Sequence, residues 1–322
     1  MTKQSAPTPG GSEQAPNKTP GRTLGFSIMV VMIVFVAWWL QYQASLDQSD
    51  QNSNTRLTEN LDGFRADVFF LPDAPMLGFV EIPAGTFTMG SNPALDRMAY
   101  QNERWSNLER QGEVSLPAFY IAQFETTAAQ FNAFVRDTGV GTAATADSPG
   151  GAYPITNVTW PEALAYGRWL QTQLLDSEQT PQALRTILEN GGRVILPSEA
   201  EWEKAARSTD GRVFPWGARP QTAFANFNSE ATLPVGSRSC ADCAYGLSDM
   251  AGNVWELTRS PLQDYPYDPA DETTLADGDP LYVMRGGSYS DSANNVRTAV
   301  RGAVDPGVRS DTIGFRLVIT PQ

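Results

Sequence analysis

Cys240-Ala-Asp-Cys243 holds the only two thiols of this chain, which has 322 residues and no histidine. Two thiols cannot close a tetrahedral zinc site alone, and no imidazole completes it. The lack of histidine also excludes serine–histidine–aspartate catalysis and every site that needs an imidazole ligand. In an oxidising compartment Cys240 and Cys243 read as a small structural disulfide, with a redox-active pair as the second reading. Asp249-Met-Ala-Gly-Asn-Val-Trp-Glu256 sets two hard carboxylates on a tight, glycine-containing turn. Calcium takes several oxygen ligands in such flexible geometry; turn capping without metal is the other reading. A third group follows Gly286-Gly287, where Ser288, Tyr289, Asp291, Asn294, Asn295, Arg297, Arg301 and Asp311 offer donors and acceptors but no nucleophile–base pair. Arg297 and Arg301 suit a carboxylate or phosphate clamp. The bland alternative ties them to the core through Asp305 or Asp311.

These groups need a frame, and the local patterns supply parts of one. Phe119-Tyr-Ile-Ala-Gln-Phe124 is a strand candidate, and Thr127 to Arg136 a helix with Phe131, Phe134 and Val135 on one side. Thr159 caps a second helix reaching Leu170, with Pro161 in the first turn, where a missing N–H costs nothing. Pro197 to Arg207 is a third, in which Ser198 caps and Glu199 and Glu201 face the positive end of the dipole. Between them the elements are short and Gly and Pro recur. Trp160, Trp169, Trp202, Trp216 and Trp255 are assigned to the core. The residues alone give a mixed α+β class without a solenoid repeat.

The N-terminal part is different in kind. Residues 1–22 are rich in Pro, Gly, Ser, Thr, Gln and Lys and cannot bury enough apolar surface to offset chain entropy, so a disordered arm is expected. Residues 23–42 are free of charge and long enough to cross most of a bilayer core, which predicts a transmembrane signal anchor. Lys3, Lys18 and Arg22 precede this span and Trp38, Trp39 and Tyr42 close it, placing the N-terminus in the cytoplasm and the large domain outside. A cleaved signal peptide ending near Tyr42-Gln-Ala44 is the competing reading, although Tyr42 sits where a small side chain is wanted. A linker over 43–65 and a folded domain over 66–322 follow. Acidic residues outnumber basic ones 36 to 23, and the net charge of −13 disfavours nucleic acid as a partner. With 41% apolar residues the chain can bury a core.

Seven signatures stand in order along the domain. They are Val80-Glu-Ile-Pro-Ala-Gly-Thr-Phe-Thr-Met-Gly-Ser91, Leu116-Pro-Ala-Phe-Tyr-Ile-Ala-Gln-Phe-Glu-Thr-Thr127, Tyr153-Pro-Ile-Thr-Asn-Val-Thr-Trp160, Leu196-Pro-Ser-Glu-Ala-Glu-Trp-Glu-Lys-Ala-Ala-Arg207, Phe214-Pro-Trp-Gly217, Gly246-Leu-Ser-Asp-Met-Ala-Gly-Asn-Val-Trp-Glu256, and Arg285-Gly-Gly-Ser-Tyr289 with Gly314-Phe-Arg316. Together they resemble the formylglycine-generating enzyme, or sulfatase-modifying factor, family. The resemblance implies an α+β, C-type-lectin-like fold, enlarged by long loops and low in regular secondary structure. Catalytic members carry two cysteines after the Gly-Gly-Ser-Tyr stretch that bind copper and oxidise a substrate cysteine. Counting onward from Tyr289, those positions hold Asp291 and Val296, neither of which supplies a soft thiolate, so copper is not expected.

The resemblance also implies a structural calcium ion on the side chains of Asp249 and Glu256 and the carbonyls of Gly252 and Val254. A second calcium site would begin at Asn226 and Phe227, but its Asp-Gly-Phe completion is missing before Pro234. The expected function is a non-oxidase module, single-pass in a bacterial inner membrane with its domain in the periplasm, that binds an envelope protein or small-molecule ligand. The surface beside Gly286 and Gly287 would carry the ligand. Binding members of this fold include lectin-like receptors and variable proteins of diversity-generating elements, and periplasmic relatives act in siderophore maturation and in regulating secretion machines. The enzyme alternative is a modifying activity with non-cysteine chemistry that uses Tyr289, Asp291 and Arg297, and a purely structural tether is the third reading.

Overall fold

An uncharged apolar run winds into a helix over residues 28–43 (α1) in the computed structural model, which describes residues 28–43, 61–106, 111–140, 150–272 and 280–321. Its side chains from Ile28 to Leu40 are exposed. Among the described residues no helix is long and apolar enough to cross a membrane. Residues 23–27, where the expected span starts, lie outside the described residues, as do the arm read over 1–22 and residues 44–60 of the linker. The chain divides into two compact units, Met1–Asn52 and Ser53–Gln322.

Three capping boxes start three helices of the second unit, in each of which a hydroxyl and an amide or carboxylate three residues on satisfy one another's backbone N–H. Thr127 with Gln130 opens α2 (Ala128–Thr138), Thr159 with Glu162 opens α3 (Trp160–Asp176), and Ser198 with Glu201 opens α5 (Glu199–Arg207). A helix the sequence reading passed over, α4 (Gln182–Glu189), follows Pro181 and buries Leu184 and Leu188. Helix α2 stops at Gly139 in the left-handed region (φ 70°), where its N–H caps Val135 O.

The strands are short: β1 (Phe64–Arg65), β2 (Leu71–Pro72), β3 (Phe79–Ile82), β4 (Gly85–Met89), β5 (Gly112–Leu116), β6 (Phe119–Ala122), β7 (Arg193–Ile195), β8 (Trp255–Pro261), β9 (Tyr282–Arg285), β10 (Gly302–Val304), β11 (Ile313–Gly314) and β12 (Val318–Thr320). Among the described residues two four-stranded sheets form, in the orders β3-β6-β12-β7 and β10-β9-β8-β11, beside the pairs β1-β2 and β4-β5. The first is antiparallel throughout, with β12 inside it, and the second pairs β11 parallel to β8. This α+β arrangement, with much of the chain in turns, agrees with the fold class read from the sequence.

Helices α2 and α3 bring Phe131, Phe134, Tyr166 and Leu170 against Phe315 and Leu317, between β11 and β12, and Ile319 of β12. Helix α3 lies so close to β7 that a Cβ on Gly167 would stand 2.9 Å from Val194 O. A second cluster gathers Ile82, Ile121 and Val318 around Trp202. Trp169, Trp202 and Trp216 are buried as expected, whereas Trp160 and Trp255 are only half-buried. Trp255 is held by its indole N–H, which donates to Asp291.

Candidate functional site

The Asp249–Glu256 turn is built around a close approach. Gly252 sits at φ 77°, and a Cβ there would fall 2.1 Å from Asn226 O, so only glycine fits. The turn delivers Glu256 to a fully buried position at the start of β8. Arg316, just before β12, meets it as a fork, Nε to Oε2 at 2.6 Å and Nη2 to Oε1 at 2.7 Å. Trp202 Nε1 donates to Oε2 at 2.7 Å. The remaining donors of Arg316 reach the carbonyls of Ala122, Gln123 and Ser248.

Two further carboxylates lie nearby. Asp249 accepts from Gly236 N at 2.7 Å, and Glu125 accepts from Asn253 Nδ2 at 2.6 Å and from Val254 N at 3.2 Å. Burial, opposed by the Gly236 N–H and Arg316, pushes Asp249 up to about 6. Burial, reinforced by the charges of Asp249 and Glu256, holds Glu125 well above the usual carboxylate range. Three buried carboxylates thus share one guanidinium.

These donors fit the implied calcium ion in part. They are hard oxygens in a pocket with surplus negative charge. Glu256, however, already accepts three hydrogen bonds, two of them from a cation. Among the described residues no group of three or more acidic or cysteine side chains is arranged to hold a metal. A calcium ion would therefore rest on Asp249 and the carbonyls of Gly252 and Val254 more than on Glu256. At the second implied site the Asn226 amide is spent internally, donating to Ala231 O and Asn253 Oδ1, both at 3.0 Å, and accepting from Ser229 Oγ at 2.7 Å.

The groove candidates separate into three places. Ser288, Asp291 and Asn295 form a hydrogen-bonded knot behind Gly287, where a Cβ would stand 2.7 Å from Asn295 O. Asp291 Oδ2 accepts from Trp255 Nε1 (2.9 Å), Ser288 N (2.9 Å) and Ser288 Oγ (2.7 Å), and Oδ1 accepts from Asn295 Nδ2 (2.7 Å). Tyr100 OH donates to Asn295 Oδ1 at 2.9 Å. Val296 is fully buried among Phe214, Trp216 and Phe227. Asn294 is exposed, and its carbonyl accepts from Arg297 Nε at 2.8 Å.

The arginines are not a clamp. Arg297 is fully buried, with Nη1 on Asp96 Oδ2 (2.5 Å) and Glu103 Oε2 (2.8 Å) and Nη2 on Glu103 Oε1 (2.7 Å). Arg301 forks onto Glu199 at 2.6 and 2.9 Å and lies 4.1 Å over the Tyr265 ring. Both lie inside the fold, as the core alternative expects, but their partners are Asp96, Glu103 and Glu199 and not Asp305 or Asp311. A guanidinium withdrawn from water has to be paired with charge, and carboxylates from distant segments met that need first. The trio Tyr289, Asp291 and Arg297 is likewise not brought together as a reactive set.

Tyr289 and Asp311 do meet. Burial, followed by the charge of the neighbouring Asp311, raises the phenol pKa. They line an open cleft of about 660 Å³ with Thr156, Asn157, Glu230 and Arg309. Glu230 and Arg309 were missed because nothing local marks them, and they reach the cleft only through tertiary folding. The Cys240 and Cys243 sulfurs are bonded. They pack against the cluster that holds Val296, in a loop fastened by Arg212 Nη1 to Asp242 O at 2.7 Å.

The chain belongs to the sulfatase-modifying factor enzyme 1-like domain family, whose model matches residues 68–321. It is 29% identical over 286 residues to the hercynine oxygenase of Mycolicibacterium smegmatis, covering 74% of this chain and 60% of that protein. It is 31% identical over 182 residues to the inactive C-alpha-formylglycine-generating enzyme 2 of Mus musculus, covering 51% of this chain and 48% of that protein. The chain spans about half the length of the curated relatives it matches. Among solved structures, PvdO from Pseudomonas aeruginosa superposes with a TM-score of 0.61 at 25% identity, covering 75% of this chain and 94% of that one. Treponema denticola variable protein 1 superposes with a TM-score of 0.58 at 25% identity, covering 76% and 95%.

Proposed function

We propose that this chain is a non-oxidase member of its family that binds a protein or small-molecule ligand, anchored by residues 23–42 in a bacterial inner membrane with its domain in the periplasm. The observation that carries the first part is the state of positions 291 and 296. Asp291 spends both carboxylate oxygens on four hydrogen bonds, and Val296 is fully buried. Neither position presents a thiolate, and a group at 296 would not meet a substrate without opening the core. What faces solvent instead is the cleft of Tyr289, Asp311 and Glu230, a surface suited to holding a ligand. The uncharged run from Thr23, helical from residue 28, supports the anchor. The surplus of buried carboxylate around Asp249 supports a structural calcium ion there. The net charge of −13 supports a partner other than nucleic acid.

The test is direct. The domain is incubated with copper(I), oxygen and a cysteine-containing peptide, and the peptide is followed by mass spectrometry. No conversion beyond a protein-free control is expected, and protein-dependent loss of the thiol refutes the reading. The anchor is tested by alkaline extraction of membranes, where the full chain should stay in the pellet and a chain starting at Leu61 should not.

A further inference from the structure

We propose that the cleft between Tyr289 and Asp311 takes a cationic group, a lysine ammonium or arginine guanidinium presented by a peptide. This rests on the reading of the cleft as the ligand site and adds the sign and class of its occupant. The residues had suggested a site for anions, with Arg297 and Arg301 as its clamp. The structure reverses that sign, because both guanidiniums are buried on Asp96, Glu103 and Glu199.

Within the cleft the balance is acidic. Glu230 and Asp311 are exposed, and neither forms an ion pair with a basic side chain among the described residues. The lining arginine, Arg309, is already committed, with Nη2 on Glu162 at 2.7 Å and Nη1 on Asn157 O at 2.6 Å. Tyr289 sets a half-buried aromatic ring in the same cleft as these two carboxylates. A ring face next to negative charge favours a cation twice over. The walls are fixed before any ligand arrives: Asn157 N donates to Ser310 O and Ser229 N to Tyr289 O, both at 2.8 Å. Such preformed walls lower the ordering cost of binding. The net charge of −13 steers cations toward the whole surface, so the test has to separate the cleft from that general field.

The full chain in detergent is titrated with dansylated trilysine, spermidine and dansylated triglutamate at about 0.15 M salt, where distant charges are screened. Trilysine should bind, triglutamate should not, and Glu230→Gln with Asp311→Asn should weaken trilysine at least about tenfold. Glu230→Gln alone, at a side chain without a hydrogen-bond partner among the described residues, should give part of that loss. A control pair on another surface, Glu178→Gln with Glu189→Gln, should stay within about twofold. Equal weakening in both pairs would reduce the effect to general electrostatics and overturn the proposal, as would no trilysine binding or equal triglutamate binding. Spermidine binding as tightly as trilysine would overturn the peptide assignment. None of these outcomes bears on the oxidation assay, so the two readings fail separately.

Discussion

Arg297→Met is the most discriminating single change in the domain. It keeps an unbranched apolar stem and removes the guanidinium and its charge. The structure shows what is left behind: Glu103 at 0% and Asp96 at 6% exposure, two carboxylates whose shared counter-charge has gone. Nε, Nη1 and Nη2 together lose four hydrogen bonds. Removing one partner of a buried ion pair costs about 3–5 kcal/mol, and two stranded acids place this change at the upper end. For a domain of this size that corresponds to a fall in Tm of about 10–20 °C. Urea unfolding by tryptophan fluorescence, checked by calorimetry, reads the change. A companion variant that adds Asp96→Asn and Glu103→Gln removes the stranded charge and should recover more than half of the loss. A single-variant loss below about 1 kcal/mol would refute the reasoning and return Arg297 to the list of ligand-facing groups. If the companion is as unstable as the single variant, packing rather than charge holds the segment.

Three further outcomes follow from the same structure. Asp249 is raised from 3.8 to about 6, so the folded state holds its proton more tightly and this contribution is lost as pH rises through that window. In chelator, Asp249→Asn should therefore gain on the wild type by on the order of 3 kcal/mol between about pH 4 and about pH 8, and parallel pH profiles would contradict the shift. Added calcium should raise the Tm of the wild type at neutral pH but not that of Asp249→Asn; no calcium-dependent change would remove the ion from the site. Cys240→Ser with Cys243→Ser opens a very short loop, for which chain entropy gives a loss of about 2 kcal/mol, and a dithiol reductant should match that loss by calorimetry.

The parts of the fold that were legible are those whose cause is local. Thr159 and Ser198 announce their helices because capping needs only near neighbours, and α2 announces itself by Phe131, Phe134 and Val135 on one side. Helix α4 carries no side-chain cap and was passed over. The ordered signatures fixed the family, as the match over residues 68–321 shows. The site was less legible, for a physical reason. Arg297 lies 201 residues from Asp96 and 194 from Glu103 in sequence, so nothing next to it tells that its charge is used inside. Asp291 looked like a groove acid, yet its ligands include the Trp255 indole from another sheet strand. Glu230 offers no pattern at all. Its place beside Tyr289 and Asp311 is a product of topology alone.

Arg316 gives the domain a direction in time. Its guanidinium ties Glu256, Ser248, Ala122 and Gln123 to residues just ahead of β12, spanning up to 194 positions of sequence. Strand β12 then fills the gap between β6 and β7, which have no hydrogen-bonded contact without it. A chain that emerges N-terminus first therefore presents β3 and β6 long before their sheet can be completed. Until residues 316–320 arrive, Glu256 has lost its counter-charge and an inner sheet edge stands open to any other strand. Closure is one late event that joins the last strand to segments made far earlier, and a nascent chain must be kept from pairing elsewhere until it happens.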